Sequence, residues 1–363
     1  MNKLNQNFNP PKIALRFFRW FCRPEMVEDI EGDLVEKFNR NIEDFGLKKA
    51  RWKFTTQILN LFRPGIVRSF HFLNLNFMFR QNLVVSWRSL RKNKGFALIN
   101  IGGLALAILV TMLIGLWVLD ELTFNKKFEN YDHLARVMQS QYFGDQIRTS
   151  TNQPMQMAPE LRVVYGSFFD HVVTTSWTGD RLLSYGEKQL YKSGNFIEPE
   201  IGNMLSLKMI EGNRNALQDP SSILLSQTTA NDIFGNEDAL GKALKINNTM
   251  DVVVAGIYAD LPENSDFANL KFIAPWDLLK TTENYEGRLG WGNNWFNVLV
   301  QLKEGVDIKT ASQAIKDAKL KNSPEEYASV AKPEIFLHPM AKWHLYSRFE
   351  NGVNTGGRIE YVR

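Results

Sequence analysis

FALINIGGLALAILVTMLIGLWVL, Phe96 to Leu119, runs for 24 residues without a charged side chain. As an α-helix rising ~1.5 Å per residue it is about 36 Å long, enough to cross a hydrocarbon core of about 30 Å. A core helix of a soluble protein is the competing reading, but such helices rarely stay uncharged for so long. The stretch therefore predicts one transmembrane helix over residues 96–119, dividing the 363-residue chain into two unequal parts.

The flanks give the span a direction. Arg88, Arg91, Lys92 and Lys94 precede it, and Asp120 and Glu121 follow. Basic residues stay on the cytoplasmic side, which puts the N-terminus inside and the C-terminal part outside. Residues 1–95 hold 18 Lys/Arg against 8 Asp/Glu, a net of +10, and residues 120–363 hold 25 against 31, a net of −6. The overall +4 thus conceals two oppositely charged halves. Within the span, Gly102, Gly103 and Gly115 are candidate helix-packing positions, because small residues let a second helix approach where lipid offers no hydrophobic drive. Glycine is also common in such helices generally, and no full GxxxG is present.

Ahead of the span, residues 70–95 (FHFLNLNFMFRQNLVVSWRSLRKNKG) interleave aromatic, aliphatic and basic residues. This pattern predicts a basic amphipathic helix lying among lipid headgroups, with membrane lipid as its partner. A nucleic-acid patch would use the same residue types, but adjacency to the span favours the membrane and no nucleic-acid partner is expected.

Residues 1–69 read as a compact helical prefix. Pro10-Pro11 precedes ALRFFRWF, and Pro24 opens a second helix at its first turn. That helix carries Ile30, Leu34, Phe38 and Phe45 as an apolar stripe. A third, near Leu47–Phe62, adds Trp52, Ile58, Leu59 and Phe62 before Arg63-Pro64-Gly65 stops it. The acidic run EDIEGD (Glu28–Asp33) has neither histidine nor the spaced oxygen ligands of a calcium loop, so it reads as a solvated helix face. The first twenty residues are basic and amphipathic, unlike a cleaved signal peptide.

Residues 120–363 predict an α+β domain. Asp251–Tyr258 and Trp295–Lys303 are its strongest strands, rich in valine and aromatics. Ile308–Lys321 has helical spacing at Ile308, Ala311, Ile315 and Ala318. Loop signals recur at Gly186, Gly194, Gly212-Asn213, Pro262 and Gly290–Asn294. The single cysteine, Cys22, lies outside this domain, whose fold must rest on packing alone.

No catalytic, cofactor or metal site is predicted. Gly235–Ala243 (GNEDALGKA) imitates a phosphate-binding loop but has five residues between its glycines instead of four, and Ala243 replaces the hydroxyl that would hold magnesium. His338 and His344 are six apart, a spacing that fits neither HExxH nor a zinc finger. No GxSxG stands out.

The stretch NLVVSWRSLRKNKGFALINIGGLALAI resembles the opening of a MacB/FtsX-type ABC transporter permease, with its basic elbow and INxxGL turn. YKSGNFIEPEIGNMLSLKMIEGNRNALQDPSSILLSQTTANDIFGNEDALGKALKI and VAGIYADLPENSDF resemble the periplasmic core domain of that family. In its light GNEDALGK is a turn between a helix and a strand. RFFRWFCRPEMVEDIEGDLVEKFNR resembles the helical prefix ahead of some of these permeases. The resemblance implies a membrane protein of the bacterial inner membrane: an α-helical cytoplasmic prefix, one transmembrane helix and an α+β periplasmic domain. It further implies a non-catalytic subunit with a separate ABC-type ATPase and a second permease copy or half as partners. The substrate class would be a peptide, toxic compound or lipoprotein. Relatives return to the membrane with three more helices, and this chain stops at GGRIEYVR, about where the second would begin. The expectation is a fragment or truncated frame. A single-pass sensor or adaptor with a ligand-binding outer domain is the alternative, although residues 1–95 show neither a kinase nor dimerising heptads. A membrane-anchored hydrolase ranks below it.

Overall fold

The computed structural model describes residues 9–63, 65–67, 72–283, 285 and 289–363, with side chains in the fourth helix from 79 onward. Pro64 of the expected stop signal and the first two residues of the expected 70–95 helix lie outside these. The chain divides into two compact units, Met1–Ala107 and Ile108–Arg363.

In the first unit, α1 (Lys12–Phe21), α2 (Pro24–Phe45) and α3 (Leu47–Asn60) enclose a core of Phe18, Phe21, Leu34, Phe38, Phe54 and Ile58. Pro24 sits at the first turn of α2, where its missing N–H costs nothing. Ala50, Phe54 and Ile58 repeat every four residues and point inward, which turns Trp52 and Leu59 outward. Trp52, Leu59 and Phe62 are therefore surface residues (72%, 58% and 53% exposed), and of the expected third-helix core only Ile58 is buried. Phe45 is also half-exposed, with the Lys53 ammonium 3.5 Å from its ring centre. The acidic run is a solvated face: Glu31 pairs with Arg19, and Asp33 lies 3.9 Å from Lys37.

Next come α4 (Phe72–Lys92) and α5 (Lys94–Leu122), separated only by Asn93. Among the described residues, α5 is the one helix long and apolar enough to cross a membrane. Its most apolar stretch is unburied by the described residues, so its apolar surface needs a non-aqueous surrounding.

The second unit is α+β. Its first half comprises β1 (Leu134–Phe143), β2 (Gln146–Ser150), α6 (Met157–Val164), β3 (Phe169–Thr175), β4 (Gly179–Tyr185), β5 (Lys188–Ile197), α7 (Ile201–Met204) and β6 (Met209–Gly212). There follow β7 (Ser222–Ser226), α8 (Gln227–Phe234), β8 (Ala243–Ile246), β9 (Met250–Tyr258), β10 (Phe272–Pro275) and α9 (Trp276–Glu283). The last part holds β11 (Asn297–Leu302), α10 (Ile308–Ile315), α11 (Ala318–Asn322), α12 (Glu325–Ala331), β12 (Glu334–Pro339) and α13 (Met340–Trp343). A hairpin of β13 (Arg348–Glu350) and β14 (Val353–Gly356) then leads to α14 (Ile359–Val362).

Strands β5, β10, β7, β9, β8 and β4 pair in turn and β4 pairs back to β5, closing a six-stranded ring. Leu183, Phe196, Ile223, Val252 and Phe272 fill it, and α8 and α9 pack on the same cluster. Closure removes the open edges that a free sheet would expose. From β5 the sheet continues through β3, β11, β1 and β12, with β2 added to β1. One face of this extension packs on α6 and α10 through Val137, Val300, Leu161 and Ile315.

Two expectations are corrected. Gly194 is not in a loop but inside β5, where Phe272 of the neighbouring parallel strand occupies the space of a side chain: a Cβ at 194 would lie 2.3 Å from the ring. Residues 308–321 are not one helix. They split into α10 and α11 because the Lys316 carbonyl leaves the helix to accept from Ile335 N–H on the edge of β12 (2.9 Å).

Candidate functional site

The end of α5 is built into the α+β unit by residues 119–125. Thr123 N–H and Oγ1 both donate to the Leu119 carbonyl, at 3.0 and 2.7 Å, satisfying one of the four carbonyls that the helix end leaves open. Asn125 then turns with φ +64°, a left-handed conformation that asparagine tolerates better than most residues. Its amide reads the loop after β9 twice: Nδ2 donates to Asp266 Oδ2 (2.7 Å), and Asp266 N–H donates to Asn125 Oδ1 (2.9 Å). Asn125 N–H adds a bond to the Asn264 carbonyl at 3.0 Å. Buried in this exchange, Asn125 is 1% exposed.

A second clamp comes from the C-terminal end of the unit. His344 Nε2 lies 2.6 Å from Glu121 Oε2, and the Glu121 carboxylate also faces Arg358 at 3.8 Å. Asp266 meets Arg136 of β1 at 3.9 Å, and the Arg136 guanidinium lies 4.2 Å over the Trp343 ring. Burial pulls the Arg136 pKa down to about 10, with Asp266 opposing the shift. Glu121 in the last turn of α5, with Thr123 and Asn125 just beyond it, thus reaches the 264–266 loop, His344 after α13 and Arg358 before α14, three segments distant in sequence. Motion of α5 would reach all three through short polar contacts, and no reacting group is needed for that.

Of the residues singled out in the sequence, Gly102, Gly103 and Gly115 lie on α5 with nothing within 4 Å of a Cβ built on any of them. Arg88, Arg91 and Lys92 occupy the last turns of α4, and Lys94 opens α5. Gly235 (φ +67°) ends α8, and Gly241 N–H donates to the Val254 carbonyl (2.8 Å), so GNEDALGK is a helix-to-strand turn. Lys242 there pairs with Glu237 and reaches Tyr185 Oη at 3.2 Å. His338 and His344 part ways: one is buried against Phe349, the other pairs with Glu121. Burial pulls the His338 pKa down to about 4, and the positive Arg136 adds to the effect.

Lys319 of α11 is a feature composition could not reveal. It is fully buried, and its ammonium donates to the side-chain carbonyls of Gln139 and Asn294 (2.6 Å to the latter) with no carboxylate among the described residues. Burial alone drives its pKa down to about 7.

A helix long and apolar enough to cross a membrane thus ends in a locked α+β unit. Residues 97–318, more than half of the chain, match the family model of the MacB-like periplasmic core domain, and the chain belongs to that family. Among solved structures it resembles a domain described as that of a permease protein from Porphyromonas gingivalis, at 20% identity and a TM-score of 0.50. That match covers 59% of this chain and 92% of the other, and it shows a shared fold. The periplasmic region of MacB from Actinobacillus actinomycetemcomitans aligns at 16% identity and a TM-score of 0.42 (60% and 94% covered). The extracellular domain of the noncanonic ABC-type transporter YknZ from Gram-positive bacteria aligns at 17% and 0.40 (56% and 99% covered). A comparison with curated proteins finds no match. The family is one of ABC transporter permeases, which makes this chain a transporter component of the inner membrane.

Proposed function

We propose that the chain is a permease subunit whose span carries movement from a separate cytoplasmic ABC-type ATPase to the periplasmic domain, for extrusion of a peptide, toxic compound or lipoprotein. The observation that carries this reading is the joint: Glu121–His344 holds the last turn of α5 to the domain, and Asn125–Asp266 holds the chain three residues beyond it. A mere anchor has no use for such a fixture, and a flexible tether would serve it as well. In this reading the N-terminal helical unit, over residues 1–69, lies in the cytoplasm. Residues 70–95 rest on the inner leaflet, 96–119 span, and 120–363 face the periplasm, as the +10 and −6 charge split favours. Gly103 and Gly115 offer contact positions for helices of a second permease copy or half.

The test is purification of the tagged chain from its native membranes. Co-purification of a small ATP-hydrolysing subunit is expected. Recovery of a signalling partner and no ATPase would favour a sensor instead.

A further inference from the structure

The break at Asn93 turns a helical stripe into a concave elbow. Trp87, Leu90 and Arg91 of α4, and Lys94, Leu98 and Gly102 of α5, each lie three or four residues from another of the set and line one groove. Asn93 N–H bonds Ser89 O and Ala97 N–H bonds Asn93 O, both at 3.0 Å, so two backbone bonds carry the chain through the bend. The resulting groove holds about 450 Å³. Its wall is almost wholly apolar, and Arg91 and Lys94, three residues apart in sequence, line it on either side of the bend.

We propose that this elbow holds one anionic glycerophospholipid of the inner leaflet, its phosphate between Arg91 and Lys94 and an acyl chain along Leu98, Gly102 and Ala105. The proposal rests on α5 being a membrane span. Three features select this occupant. From Lys94 to Ala105 the wall rises about 16 Å, which is one leaflet of a hydrocarbon core of about 30 Å. A guanidinium and an ammonium are donors only and match a phosphodiester, and Trp87 beside them suits the headgroup level. Finally, between Asp44 and Asp120 the sequence contains no acidic residue. The same stretch of a second copy would therefore set cation against cation here. Gly102 supplies the width, since nothing lies within 4 Å of a Cβ built on it.

The test reconstitutes the full chain in nanodiscs of equal phosphatidylcholine and phosphatidylglycerol and counts retained lipid by native mass spectrometry. One phosphatidylglycerol per chain is expected, favoured at least about fivefold, the ratio that ~1 kcal/mol supplies. In Arg91→Gln/Lys94→Gln the preference falls to about one, and in Gly102→Leu retention of either lipid drops. All three proteins should stay in the membrane pellet after alkaline carbonate. Equal retention of both lipids by the unaltered chain would overturn the proposal. So would a disulfide dimer through Gly102→Cys, made in a Cys22→Ser background, that excludes lipid. Release of the unaltered chain by carbonate is a different failure: it would remove the membrane reading, and the lipid site with it.

Discussion

The imidazole of His344 lies face to face on the ring of Phe124, centroids 3.7 Å apart and planes 9° from parallel. Phe124 stands two residues past the end of α5, and His344 follows α13, so the stack joins positions 220 residues apart in sequence. The same imidazole holds Glu121 through Nε2. His344→Ala removes both contacts and leaves the buried Glu121 carboxylate with only Arg358, at 3.8 Å, among the described residues. A loss of about 1–3 kcal/mol is expected, read as a lower melting temperature of the detergent-solubilised chain. His344→Phe, which keeps the stack and drops the hydrogen bond, should recover part of it. An unchanged melt for His344→Ala would show that the stack does not hold the joint.

Asn125 separates two costs. Asn125→Gly loses the exchange with Asp266 but accepts φ +64° freely, whereas Asn125→Ala loses the exchange and forces a Cβ into left-handed backbone. Alanine should therefore cost about 1 kcal/mol more than glycine, on top of about 1–3 kcal/mol for the buried hydrogen bonds common to both. Denaturant titration of the two variants checks the order.

His338 and Lys319 make stability depend on pH, each with its own window. His338 is neutral in the fold down to about pH 4, while the unfolded chain takes up a proton near 6.5. Stability is then fully present above about pH 6.5 and lost as pH falls toward 4, by up to about 3 kcal/mol at 1.36 kcal/mol per pH unit. His338→Gln should flatten this acid limb.

Lys319 releases its proton near pH 7 in the fold, against about 10.5 when unfolded. Its penalty is complete below pH 7 and relieved as pH rises from 7 to 10.5, so stability should climb by a few kcal/mol over that window. Lys319→Met should lose the climb. Persistence of the alkaline slope in that variant would mean that another group produces it.

Gly194→Ala places a methyl inside the Phe272 ring's volume, 2.3 Å from its carbon atoms. Overpacking of this kind costs about 1–3 kcal/mol. Phe272→Leu makes room, so the double variant should be less destabilised than the sum of the singles, as a thermal-melt cycle would show.

Long periodic elements were legible in the sequence. The 24 uncharged residues announce α5, and the valine-rich runs announce β9 and β11, because burial on a membrane or in a sheet leaves a local pattern. Pro24 opening α2 was equally local. What escaped depends on partners far along the chain. Gly194 looks like a turn until Phe272 is placed beside it, and 308–321 looks like one helix until the β12 edge draws out the Lys316 carbonyl. The rotation of α3 that exposes Trp52 follows from which of two overlapping stripes meets α1 and α2. The joint was half visible. VAGIYADLPENSDF carries the Asn264 and Asp266 that receive the helix, but nothing local in it points to Asn125 or His344.

Hydrogen exchange on the reconstituted complex, with and without ATP, tests the transfer of motion through α5 most directly. ATP should change protection at residues 264–266 and 340–344, and three glycines inserted between Leu122 and Thr123 should abolish that change while leaving ATP hydrolysis intact. An ATP response in the periplasmic domain that survives the insertion, or no response in the unaltered chain, would contradict the account.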